Sequence, residues 1–181
     1  MTMYWTQLLP GTNGNHDYKL RSYGALLASN KGLLAAAMGA RTIRPERCAL
    51  MVSMAMIETH HFSSSERDAK KDGRTDGGAN ATIFNLSEDL LRQVGYTGNI
   101  HLLDALSSLS IVVGYIDKGI NTWGVTRFLN FVRGGRDAFN DGVSYGAADY
   151  RCAVATALKL IDMYPALMSD DRRVEMDVKY V

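Results

Sequence analysis

The chain has 181 residues, a formal net charge of +1 and 46% hydrophobic residues. That is the size and make-up of one globular domain, able to bury a core without disulfide staples or a structural metal. Lys and Arg are scattered rather than clustered, and no apolar run is long enough to span a bilayer, so neither nucleic acid nor a membrane is an expected partner.

Residues 1–16 carry the turn signals Pro10-Gly11 and Asn13-Gly14 and read as an irregular arm, with Tyr4 and Trp5 as packing residues. Residues 17–40 hold Leu20, Tyr23, Leu26, Leu27, Leu33, Leu34 and Met38, a helical pattern with a break at Asn30-Lys31-Gly32. Pro45 suits the first turn of the next helix, and Glu46 beside it complements the helix dipole. From Cys48 to Ile57 the sequence is almost wholly apolar, which predicts a helix buried on all sides, with Met51, Met54 and Met56 filling gaps in the core. This helix ends at Glu58, followed by Thr59-His60-His61-Phe62.

Residues 63–80 are polar and glycine-rich, and the pairs Asp72-Gly73 and Asp76-Gly77 predict a long loop with a small hairpin. Asn85-Leu86-Ser87-Glu88 has capping-box spacing with Asn85 at the cap, and predicts a short helix reaching about Val94. A longer helix follows over His101 to Lys118, ended by Gly119. Another covers Val125 to Arg133, closed by Gly134-Gly135. The last runs from Ala147 to Tyr164 and stops at Pro165. The charged tail from Ser169 to Val181 reads as loosely held, with an edge strand over Val178 to Val181. The class is therefore mainly α (α+β), as a single domain over residues 1–181. Cys48 and Cys152 leave two readings open, one long-range disulfide or two buried thiols.

The chemistry concentrates at Glu58. A carboxylate that closes a buried helix is desolvated on one side and faces the polar loop on the other. Desolvation raises the pKa of an acid, as a general acid requires. The negative end of a helix is an unfavourable place for a carboxylate, so a compensating group is expected nearby. Two-carboxylate glycosidic chemistry needs a second acid, and the loop offers Glu66, Asp68, Asp72 and Asp76 without choosing among them. Adjacent His60 and His61 cannot both face one metal from a regular helix, so no metal or other cofactor is expected. Trp123 suits either sugar stacking or the core. The sequons Asn80-Ala81-Thr82 and Asn85-Leu86-Ser87 fall beside the loop, and glycans there would obstruct it.

A buried helix ending in Glu, a polar hairpin and an Ile-Phe-Asn segment opening the next helix resemble the lysozyme superfamily, here as Ile57-Glu58-Thr59 and Ala81-Thr82-Ile83-Phe84-Asn85-Leu86-Ser87. The hairpin is more similar to glycoside hydrolase family 134. The matching pieces are Glu58-Thr59, Asp72-Gly73-Arg74-Thr75 and Ala79-Asn80-Ala81-Thr82-Ile83-Phe84. Trp123-Gly124-Val125, Phe131-Val132-Arg133-Gly134-Gly135 and Tyr150-Arg151 are similar to further family segments, so the resemblance covers about residues 45 to 165. Thr82 replaces a Gly of the family pattern, and Val132 a His.

The resemblance implies a lysozyme-like fold with a small β-hairpin after the central helix, and an inverting endo-β-1,4-mannanase. Glu58 is then the general acid and Asp72 the general base. Arg74 and Thr75 touch substrate, and Asn80, Phe84, Asn85, His61 and Trp123 line the cleft. Inversion sets the two carboxyls roughly 6.5–9.5 Å apart. Two alternatives stand beside it: a lysozyme or lytic transglycosylase working on peptidoglycan through Glu58 alone, and a non-catalytic carbohydrate-binding protein on the same fold. The expected partner is a polysaccharide and the expected state a monomer. Met-Thr-Met-Tyr-Trp at the start is not a secretory signal. The expectation is a secreted protein whose leader lies outside this chain, with a cytoplasmic location left open.

Overall fold

The computed structural model describes residues 16–63, 80–142 and 145–176. In chain order its regular elements are β1 (Lys19–Ser22), α1 (Ala25–Ala40), α2 (Pro45–Glu58), β2 (Asn80–Ala81), β3 (Leu86–Ser87), α3 (Glu88–Gln93), α4 (Leu109–Trp123), α5 (Val125–Asp141), α6 (Tyr145–Met163) and β4 (Arg172–Glu175). The protein is mainly helical, and its strands form two small antiparallel pairs, β1 with β4 and β2 with β3.

The axis is α2. It opens as its sequence predicts, with Arg44 extended, Pro45 in the first turn and Glu46 beside it. Every residue from Ala49 to Met56 is buried, and Met51, Met54 and Met56 are fully enclosed. Full burial of a large apolar side chain is worth roughly 1.5–3 kcal/mol, so this helix gains most when no face meets water. Helices α1 and α6 and strand β4 pack against it. In turn α4 packs on α1, and α5 lies against both α4 and α6. One apolar cluster, from Leu27 of α1 through Phe128 of α5 to Val154 of α6, runs through the helices.

Several local expectations give way to tertiary packing. The Asn30-Lys31-Gly32 triplet does not break α1, which is continuous. Asn30 and Lys31 are 5% and 1% exposed and act as anchors. The Asn30 amide donates to the His61 carbonyl at 2.8 Å, and Lys31 Nζ donates to the Leu167 carbonyl at 2.6 Å and to that of Arg172. Burial lowers the Lys31 ammonium from 10.5 to about 8, against the opposing pull of Asp170. Residues 19–22, expected to be helical, form β1, in register Lys19↔Glu175, Leu20↔Val174, Arg21↔Arg173 and Ser22↔Arg172. The segment expected to be loose is therefore a strand, with Val174 and Arg173 buried. The edge strand expected over Val178 to Val181 lies outside the described residues.

The cap of α3 is Ser87, whose hydroxyl accepts from Leu90 N at 3.2 Å, and not Asn85. Asn85 instead belongs to the turn Thr82–Asn85, which joins the ladder Asn80↔Ser87 and Ala81↔Leu86. Thr82 adopts φ +73° there, a conformation that favours glycine. In this chain two bonds support the strained residue: Thr82 N donates to Asp104 Oδ1 at 2.7 Å, and Phe84 N donates to Thr82 Oγ1 at 3.1 Å.

Gly119 does not end α4. A Cβ there would stand 2.9 Å from the Phe128 ring, so the glycine lets α4 and α5 approach closely. The helix stops at Gly124, φ +80°, and residues expected as its first turns are 3₁₀ segments, Ile100–Asp104 and Leu106–Ser108. Gly135, φ +67°, kinks α5 where closure is expected, but the helix resumes to Asp141. Cys48 and Cys152 are free thiols, both partly buried, and burial pushes each thiol up. Among the described residues no helix is long and apolar enough to cross a membrane.

Candidate functional site

Glu58 is the last residue of α2, and its carboxylate turns into protein rather than solvent: the side chain is 4% exposed. Its Oε1 accepts from Arg133 Nη2 at 2.5 Å, and the Arg133 side chain is itself 8% exposed. The Arg133 guanidinium lies 4.7 Å from the ring centre of Tyr150, which is fully buried. Three helices thus converge on one acid, with α2 supplying the carboxylate, α5 the cation and α6 the aromatic face that covers it.

Arg133 is the compensation that a carboxylate at the negative end of a helix demands. A second cation serves the helix end itself, since Arg173 of β4 donates to the Met56 carbonyl in the last turn. Arg173 is 5% exposed and lies over the Tyr23 ring at 5.4 Å. The two effects on Glu58 oppose each other. Burial and the helix end favour the neutral acid, while the guanidinium favours the carboxylate.

A cavity of about 590 Å³ borders this helix end. Ile57, Glu58 and His60 form one wall, Arg173 and Glu175 of β4 another, and Asp17, Tyr18, Lys19 and Arg21 a third. The Glu58 side chain is almost closed off from it, so the residue meets the cavity chiefly through its main chain.

The expected site residues fall into three groups. Asp72, Arg74 and Thr75 lie outside the described residues, as do Glu66, Asp68 and Asp76, and with them the Glu58–Asp72 carboxyl separation. Asn80 and Asn85 are partly buried at the two ends of the β2–β3 hairpin. Phe84 is fully buried and belongs to the core cluster. His60 borders the cavity, whereas His61 presents an edge to Tyr23 at 5.4 Å and gives its carbonyl to Asn30. Trp123 stacks on Phe131 at 5.8 Å and meets Phe139 edge-on at 5.0 Å, in an aromatic cluster between α4 and α5.

Sequence reasoning missed the role of Arg133, Tyr150 and Arg173. Arg133 and Tyr150 belong to segments that carry the family resemblance, but a partner 75 positions from Glu58 has no local signature. The demand for a cation was legible; its source was not. Among the described residues no three His, Cys, Asp or Glu side chains are placed to hold a metal ion. The chain matches no protein-family model, and no curated protein matches it.

Proposed function

We propose that this protein is an endo-acting glycoside hydrolase of lysozyme-like fold that cuts a β-1,4-linked polysaccharide, mannan first among the candidates. The observation that carries the reading is a carboxylate closing a helix buried from Ala49 to Met56 and gripped by an arginine whose side chain is also buried. Proteins bury a carboxylate and a cation at considerable desolvation expense, and sites of catalysis are where such arrangements concentrate. The convergence of Arg133 and Tyr150 on Glu58 gives two of the family-like segments a common purpose. In this reading Glu58 delivers a proton to the glycosidic oxygen, and Asp72 takes one from the attacking water.

One observation favours a second reading. The short Glu58–Arg133 contact stabilises the ionised carboxylate, which is the wrong state for an acid at rest and the right one for a structural pair. A non-catalytic carbohydrate-binding protein would need no more than that.

Reducing-end release from mannan, glucomannan, xylan and peptidoglycan separates them, with Glu58→Gln run alongside. The expected outcome is release from mannan by the wild type and a loss of at least about a hundredfold in the variant, the usual scale for removing a general acid. Release from peptidoglycan alone would move the protein to the lysozyme side. No release from any polymer would sink the hydrolase reading.

A further inference from the structure

The cavity beside Glu58 is not isolated. A second cavity of about 380 Å³ lies between the segment His16–Tyr18 and the C-terminal half of α6, at Thr156, Lys159 and Met163. Asp17 and Tyr18 line both. Each volume falls within the range of about 300–1,000 Å³ typical of small-molecule sites. Tyr18 stands between them with 46% of its surface exposed.

The walls say what kind of ligand fits. Among the described residues lining the larger cavity, Asp17 and Glu175 face Lys19, Arg21 and Arg173, with the Glu58 carboxylate closed off in its pair with Arg133. Several of these are already paired, Arg21 with Glu175 at 3.1 Å and Arg173 with Glu175 at 3.6 Å. Mixed charges that pair with one another leave little field to draw a phosphate or a polyanion. They offer alternating donors and acceptors, which suit a neutral ligand rich in hydroxyls. A half-exposed tyrosine adds an apolar face with a polar rim, complementary to a pyranose ring that is apolar on its faces and hydroxylated at its edge. One ring bordering two cavities calls for an elongated ligand, with sugar units seated on either side of it.

We infer that Asp17-Tyr18 is the saddle of a track for a neutral polysaccharide, leading from the end of α2 to the C-terminal end of α6. This rests on the polysaccharide reading above, but not on hydrolysis, since a binding protein would use the same track. Strands β1 and β4, which wall the larger cavity, lie outside residues 45 to 165, whereas the end of α2 and the α6 wall lie within them.

Native gels cast with galactomannan, arabinoxylan or mixed-linkage β-glucan test it on the full chain. At least one polymer should retard the wild type. Tyr18→Ala, at an exposed position, should weaken that retardation by about tenfold, the worth of one aromatic stacking contact. Tyr18→Phe should keep it. Equal retardation of wild type and Tyr18→Ala, or retardation by no polymer, overturns the inference. Reducing-end release from the same polymers separates this from the hydrolase reading. Tyr18-dependent binding without release leaves the track and removes the hydrolase. Release with binding indifferent to Tyr18 does the reverse.

Discussion

Arg133 and Arg136 stand one turn apart on α5, on either side of the kink at Gly135, and each grips a carboxylate. Arg136 holds both oxygens of Asp89 at 2.6 Å on the surface, with 58% of its side chain exposed. Arg133 holds one oxygen of Glu58 at 2.5 Å with 8% exposed. By contact geometry alone the surface pair is the better one, being bidentate. By consequence the order reverses. Water replaces either partner of the surface pair at little cost, whereas the buried pair has no such substitute. What a charge is worth here depends on what would happen to its partner if it left.

The largest expected effect tests that directly. Arg133→Ala should lower stability by about 3–5 kcal/mol, read from the urea midpoint, because it takes the guanidinium from a buried carboxylate. Combining it with Glu58→Gln removes that buried charge and should restore part of the loss. A change below about 1 kcal/mol in the single variant would break the comparison and place the pair with ordinary surface bridges.

Lys31 sharpens it, as a buried cation held by two carbonyls, with the Asp170 carboxylate farther off at 3.8 Å. Its ammonium titrates near 8 in the folded chain and near 10.5 in the unfolded one. Below pH 8 both states are charged, and the full expense of burying the charge is present. Between pH 8 and 10.5 the unfolded chain keeps the proton that the folded chain has released, so this group makes stability rise with pH. The urea midpoint of the wild type should climb relative to that of Lys31→Met across this window. A pH-independent difference would show that the ammonium is effectively solvated.

The cysteines give a smaller effect. Burial pushes both thiols up, so each should react with a disulfide reagent at pH 8 more slowly than free cysteine does. Two thiols should titrate in the denatured, unreduced chain. Finding none would mean that Cys48 and Cys152 pair after all.

Smallest of all, Arg136→Ala should leave the urea midpoint where it is. A loss comparable to that of Arg133→Ala would mean that geometry, and not burial, ranks the two arginines of α5.

The sequence was most legible where a pattern is local and repeats. The apolar run from Cys48 to Ile57 could only be a buried helix, and Pro45 marked its start. Pro165 marked the end of α6, whereas Gly134-Gly135 read as the end of α5 and is only a kink within it. Legibility failed where the partner is distant. Asn30 and Lys31 read as a helix break because polar residues in an apolar stretch have no local use. Their use is to hold the His61, Leu167 and Arg172 carbonyls. Gly119 read as a stop, although its missing side chain makes room for Phe128 on another helix.

The sequence by itself determined that a carboxylate closes a buried helix and that something positive must answer it, since burial and the helix dipole act on Glu58 whatever surrounds it. Only the tertiary structure decided that the answer is Arg133, covered by Tyr150. It also decided that β1 and β4, from near opposite ends of the described chain, meet beside that helix end. Local physics is carried by each residue and its neighbours, and the pairing of groups 75 positions apart is settled only when the core they share has packed.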